Sequence, residues 1–216
     1  MQGLLGTLAQ HPLLFVITAA ALVLSITVHE FAHAYVAAKL GDPTAKDLGR
    51  LSLNPLAHLD PLGTIALLLV GFGWGKAVPI NYYNLANPKR DAALIALAGP
   101  GSNFLVAVGL AILAKSLVTV SYSLTPSILS HGLLVVSTFI SPILLYNVVL
   151  GLFNLLPVEP LDGFKIVNGI LPARLAVQWV QLAPYGLYIL LALVVTGATS
   201  ALMYPVVNLV TTILLP

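Results

Sequence analysis

Cysteine is absent from the 216 residues, which excludes disulfides and leaves any metal ion to His and carboxylate ligands. Charge is nearly as scarce. Asp, Glu, Lys and Arg make up 7% of the chain, against about 25% in a soluble domain. The net charge of +2 leaves no basic footprint for nucleic acid. Residues 1–12 contain no Lys or Arg, so the basic start of a cleavable signal peptide is missing. Basic side chains first occur after the first apolar run, at Lys39, Lys46 and Arg50, which predicts an outside N-terminus. What remains is apolar: 59% hydrophobic residues and a mean hydropathy of +1.00. These values predict an all-α polytopic membrane protein, with residues 1–216 forming one membrane-embedded domain.

The first apolar run extends from Leu13 to about Leu40 and stops at Gly41-Asp42-Pro43. A polar stretch over 41–61 carries the turn signals Asn54-Pro55 and Asp60-Pro61. Leu62–Phe72 is apolar but only eleven residues long, where a span needs about 20, so it reads as re-entrant or interfacial. Gly71-Phe72-Gly73-Trp74-Gly75 breaks it, and Lys76–Tyr83 has the composition of a short strand. Further spans are expected from Asp91 to about Lys115, from Ile128 to Leu156, near 176–196 and over 200–215. The total is about five spans plus a re-entrant, β-containing segment. With 62–72 re-entrant, Lys39, Lys46, Arg50, Lys76, Lys89, Arg90, Lys165 and Arg174 all fall inside and only Lys115 outside. A crossing at 62–72 would spread the basic residues almost evenly, so the charge rule favours re-entry.

The first run holds His29-Glu30-Phe31-Ala32-His33. Residues i and i+4 share a helix face, so the two imidazoles can hold one Zn²⁺ with Glu30 placed to act as base on a water. Ionisable groups at membrane depth cost about 2.5–3.5 kcal/mol each on the mildest scale, so three within five residues need a purpose. His33 lies about 10 Å from the inner end of the helix, which puts the site within reach of cytosolic water. A catalytic zinc takes a third protein ligand. Asp162, past the proline-bounded break after the third span, is the best remaining residue, with Glu159 as its rival and a helix N-cap as its alternative role. Asn147 and Asn154 share a helix face, and Asn103 sits among small residues; helix–helix hydrogen bonding accounts for these as well as a site does. His11 and His131 fall at outer ends of spans.

His29-Glu30-Phe31-Ala32-His33, Asn54-Pro55-Leu56-Ala57-His58-Leu59-Asp60-Pro61-Leu62-Gly63, Ala98-Gly99-Pro100-Gly101-Ser102-Asn103 and Asn154-Leu155-Leu156-Pro157 with Leu161-Asp162-Gly163 occur in that order. The set resembles the site-2 protease family of intramembrane zinc metalloproteases, in its compact branch without a PDZ domain. The resemblance covers roughly residues 20–170. It implies His29, His33 and Asp162 as ligands of one Zn²⁺, Glu30 as catalytic base, and Asn154 as a residue that binds substrate or the developing oxyanion. It also implies a catalytic core over about 13–170, followed by C-terminal helices over 176–215. Glu159 and Ala77 stand where that family usually has proline. Expected partners are the lipid bilayer and single-span membrane proteins, whose unwound chain could add to a strand edge at Lys76–Tyr83. The rival functions are a membrane metal-ion transporter and an inactive relative that binds membrane helices without cutting them.

Overall fold

The computed structural model describes residues 10–70 and 73–215; Gly71 and Phe72 of the expected glycine-rich break lie outside the described residues. The first apolar run folds as α1, Pro12–Lys39. Its leading proline gives up no helical hydrogen bond there. Gly41, at φ 104°, turns the chain in a conformation closed to most side chains. A short α2 (Thr44–Asp47) and a tight turn at Pro55–Ala57 lead into α3, Pro61–Val70. Ten residues of helix cover only about 15 Å, half of a hydrocarbon core. The base of this excursion is closed. Leu59 pairs with Gly75 in an isolated antiparallel bridge, and the Lys76 N–H donates to the His58 carbonyl at 2.8 Å. The chain returns to the place it left, in agreement with a re-entrant piece.

The expected strand does not form. Among the described residues there is no sheet, and Lys76–Ile80 is an extended strap without a ladder. Its donors are spent elsewhere: the N–H groups of Lys76, Val78 and Asn81 go to His58, Glu30 and Asp42. Pro79 has no donor to give. Tyr82–Asn84 closes the strap as a 3₁₀ turn.

Beyond it, α4 runs from Pro88 to Ser123, longer at both ends than the sequence reading of Asp91 to Lys115. Asp91 lies in the first turn and accepts from the Asn87 N–H at 2.8 Å. At the far end Lys115 does not stop the helix, because its ammonium reaches the Ile213 carbonyl at 2.6 Å. Ser127 and Ser130 form a capping box that starts α5, Ile128–Asn154. Two short helices follow, α6 (Asp162–Ile170) and α7 (Ala173–Val180); α8 is Gly186–Val195 and α9 is Ala198–Leu214. Gly197, at φ 76°, makes the expected break before α9. Among the described residues, four helical stretches are long and apolar enough to cross a membrane: α1, α4, α5 and the nearly continuous Ala173–Val195. The fifth expected run becomes α9, a shorter apolar helix of 17 residues.

Small residues set the helix spacing. Ala21, Ala34, Ala37, Ala107, Ala111 and Ala114 are all buried, which brings α1, α4 and α5 close together in the manner of membrane bundles. Ala107 and Ala111 meet Leu144 and Val148, and α9 covers this cluster through Val210 and Leu214. A second cluster, Ala37, Leu85 and Ile95 with Ile80 beside it, seats the end of the strap on α1 and α4.

Candidate metal centre

His29 and His33 project from one face of α1, their rings edge to face with centroids 4.6 Å apart. Asp162 opens α6, and its Oδ2 lies 3.1 Å from His29 Nε2 and 3.2 Å from His33 Nε2. All three residues are buried. The other ring nitrogens are committed. His29 Nδ1 pairs with Asn103 Oδ1 at 2.6 Å, and His33 Nδ1 with the Ile95 carbonyl at 2.7 Å. Both partners are acceptors, so each Nδ1 carries the proton and each Nε2 turns a lone pair toward Asp162. Asp162 Oδ2 has no hydrogen-bond partner among the described residues. The centre therefore calls for positive charge, either extra protons on the imidazoles or a cation between them. Ligands sharing a tetrahedral ion at about 2.0–2.2 Å sit roughly 3.3–3.6 Å apart. The observed spacing and the N₂O donor set fit Zn²⁺.

Two features of α4 and α6 make room for this cluster. A Cβ added at Gly99 would lie 2.4 Å from His33 Nε2 and 2.6 Å from His29 Cε1, so the imidazoles rest directly on the α4 backbone. A Cβ at Gly163 would lie 2.3 Å from the Leu155 carbonyl oxygen. Glycine there lets α6 start against the turn that ends α5, which delivers Asp162 to α1. Asn103 extends the network inward by donating to Asn147 Oδ1 at 2.9 Å and to the Ser25 carbonyl at 3.2 Å. Asn147 in turn donates to Ile143.

Of the other residues singled out in the sequence, Glu30 turns toward the strap, where its Oε2 accepts from the Val78 N–H at 3.1 Å. Asn154 ends α5 and donates to the Leu150 carbonyl of its own helix at 3.0 Å. Glu159, the rival ligand, lies against Gly186 and lines a cavity of about 30 Å³ with Phe164 and Trp179. It is not grouped with the imidazoles. His58 is fully buried, with Nε2 on the Ser52 carbonyl at 2.7 Å. The sequence reading used Arg50 only as an inside charge, yet it is buried and donates to the carbonyls of Lys76 and Ala77. An isolated cation just before the Asn54-Pro55 turn was the only signal for it.

The description "Peptidase family M50" matches residues 17–196. The chain belongs to this family, the site-2 proteases. Similar proteins agree across most of the chain. A Bacillus subtilis protein named "Putative zinc metalloprotease YwhC" is 40% identical over 187 residues, covering 87% of this chain and 84% of its own. A Mycolicibacterium smegmatis protein named "Putative zinc metalloprotease Rip2" is 27% identical over 193 residues, covering 86% and 69%. A Mycobacterium tuberculosis protein of the same name is 29% identical over 160 residues, covering 71% and 57%. No solved structure matches. Within this chain, His29, His33 and Asp162 are placed to bind a metal ion.

Proposed function

We propose that this chain is an active intramembrane zinc metalloprotease that hydrolyses a peptide bond in or near a membrane-spanning segment of its substrates. The observation that carries the reading is the convergence of Asp162 Oδ2 on both imidazole Nε2 atoms, with Glu30 on the same helical turn and membership of the M50 family beside it. In this reading His29, His33 and Asp162 hold one Zn²⁺. When bound, the ion supplies Lewis acidity, activating water and polarising the scissile carbonyl.

The chain's own residues do the rest. Glu30 takes the proton from the attacking water and returns it to the leaving amine. Asn103 and the Ile95 carbonyl fix the imidazole tautomers, so that Nε2 stays free for the ion. Asn154 is the side chain we assign to the developing oxyanion; its amide must first leave the Leu150 carbonyl. A helical substrate hides its carbonyls in internal hydrogen bonds, so the segment to be cut must unwind. Substrates are single-span membrane proteins, reached from the cytosolic side.

The test is cleavage of a single-span substrate in detergent or liposomes by purified wild type and Glu30→Gln. Removing a general base is expected to lower the rate at least about 100-fold, with bound zinc retained. Near-normal cleavage by Glu30→Gln would sink the assigned chemistry. Zinc uptake by liposomes without any cleavage by wild type would favour the transport reading instead.

A further inference from the structure

We infer that Arg50 is a positioning residue for the Glu30 carboxylate, acting through the Ala77–Val78 peptide group of the strap. The inference rests on the proposed role of Glu30 as base. The Arg50 guanidinium donates from Nη1 to the Ala77 carbonyl at 3.2 Å and from Nη2 to the Lys76 carbonyl. On the other side of the strap, the Val78 N–H donates to Glu30 Oε2 at 3.1 Å. The Ala77 C=O and the Val78 N–H belong to one peptide unit. In a planar trans peptide these bonds point in opposite directions. One peptide therefore stands between a cation at its oxygen and an anion at its hydrogen, with its dipole aligned between the two charges. Hydrogen bonds in series polarise one another in this way, each strengthening the next.

Burial argues that Arg50 does more than pin a loop. The residue is 5% exposed, and among the described residues no carboxylate lies within ion-pair distance of it. A guanidinium removed from water without a direct partner is costly; an Asn or Gln could hold two carbonyls at lower cost. Glu30 faces Arg50 across the strap, with one peptide group between them. Neighbouring contacts anchor the strap on either side and leave the Ala77–Val78 peptide itself to Arg50 and Glu30. The Lys76 N–H is tied to His58, and the Asn81 N–H to Asp42 at 2.7 Å. Gly75 adds the close approach: a Cβ there would lie 3.0 Å from Ile26 Cγ2 and 3.7 Å from Glu30 Oε1.

Losing Arg50 should thus free the Ala77–Val78 peptide to rotate and leave Glu30 without its fixed donor, while the metal ligands are untouched. The experiment compares wild type, Arg50→Lys and Arg50→Met in the full-length protein, with zinc content and thermal unfolding measured on the same samples. For Arg50→Met, kcat should fall on the order of 10- to 100-fold, as for other outer-shell partners, with KM changed less than about threefold and zinc retained. Arg50→Lys keeps the charge but lacks the planar fork that spans two carbonyls, so its kcat should lie between the other two. A nitroxide at Lys76→Cys, the sole thiol in a chain without cysteine, should become more mobile in both variants, with or without zinc.

Wild-type kcat in folded Arg50→Met, or an unchanged label spectrum, overturns the inference. So does a drop in unfolding temperature with kcat per folded, zinc-loaded molecule unchanged, since that is a purely structural role. If Arg50→Met fails to fold, the Arg50→Lys kcat and label spectrum decide. Inactive Glu30→Gln beside fully active Arg50→Met removes this inference alone. Active Glu30→Gln removes the reading beneath it.

Discussion

Gly99 shows how much one absent atom can control. Any Cβ there would fall inside the contact distance of both imidazoles, and the α4 backbone behind it cannot retreat without unpacking Ala96 and Asn103, which are buried too. Overpacking of this kind costs about 1–3 kcal/mol where neighbours can shift; here the neighbours are the two imidazoles proposed to hold the ion. Gly99→Ala should therefore leave a folded protein with sharply reduced zinc, read by elemental analysis of purified samples. Stoichiometric zinc at unaltered affinity in that variant would show that the imidazoles have slack that the packing denies. His29 and His33 were legible from their spacing alone. Asp162 was not separable from Glu159 by spacing, because three residues of chain in a proline-rich turn can point either carboxylate inward. The turn of the backbone at Gly163 made the choice.

Among the elements, the strap departs furthest from its sequence. Its composition favours a strand, but its donors are taken by the His58 carbonyl and the Glu30 and Asp42 carboxylates rather than by a neighbouring strand. Asp42, just past α1, is central to this. It accepts from the Thr44 N–H and hydroxyl, the Asn81 N–H and the Asn84 amide. Burial would raise its pKa, but these hydrogen bonds outweigh it and hold it below the ordinary 3.8. A depressed folded pKa means that the unfolded chain binds the proton more readily. The stabilisation is present above the ordinary value and is lost as the pH falls through the folded one. Asp42→Asn should accordingly lower the unfolding temperature at about pH 7, with a deficit that shrinks toward about pH 3. A deficit independent of pH in detergent melts would show that the charge is immaterial. The helices were easier to read than the strap, apart from their ends. Pro100 lies inside α4 without breaking it, and Lys115 finds a carbonyl on α9, so neither marks a boundary.

At the scale of the whole molecule, the closed base of the α3 excursion keeps the motif-bearing loop on one side of the bundle. The charge rule then expects every basic residue but Lys115 on that side. Labelling in sealed vesicles can check this, because single cysteines introduced into a thiol-free chain report without background. Lys46→Cys and Arg174→Cys should react with an impermeant maleimide from one face, and Ser123→Cys, at the end of α4, from the other. Reaction of all three from the same face would refute this topology. The family match across residues 17–196 includes α7 and α8, beyond the motifs that first suggested it. Those helices pack on the Asp162 region: the Phe164 and Trp179 rings stack at 5.1 Å, and Gly186 lies against Glu159.

The sequence by itself determined the solvent, the helical class and the pair of imidazoles, because hydropathy and a four-residue spacing are local properties that no distant contact can alter. Only the tertiary structure decided which carboxylate joins those imidazoles, which backbone lies beneath them, and how a lone arginine meets the glutamate through a peptide between them. Each of these depends on residues far apart in the chain meeting at ångström distances, and local pattern carries no record of such meetings.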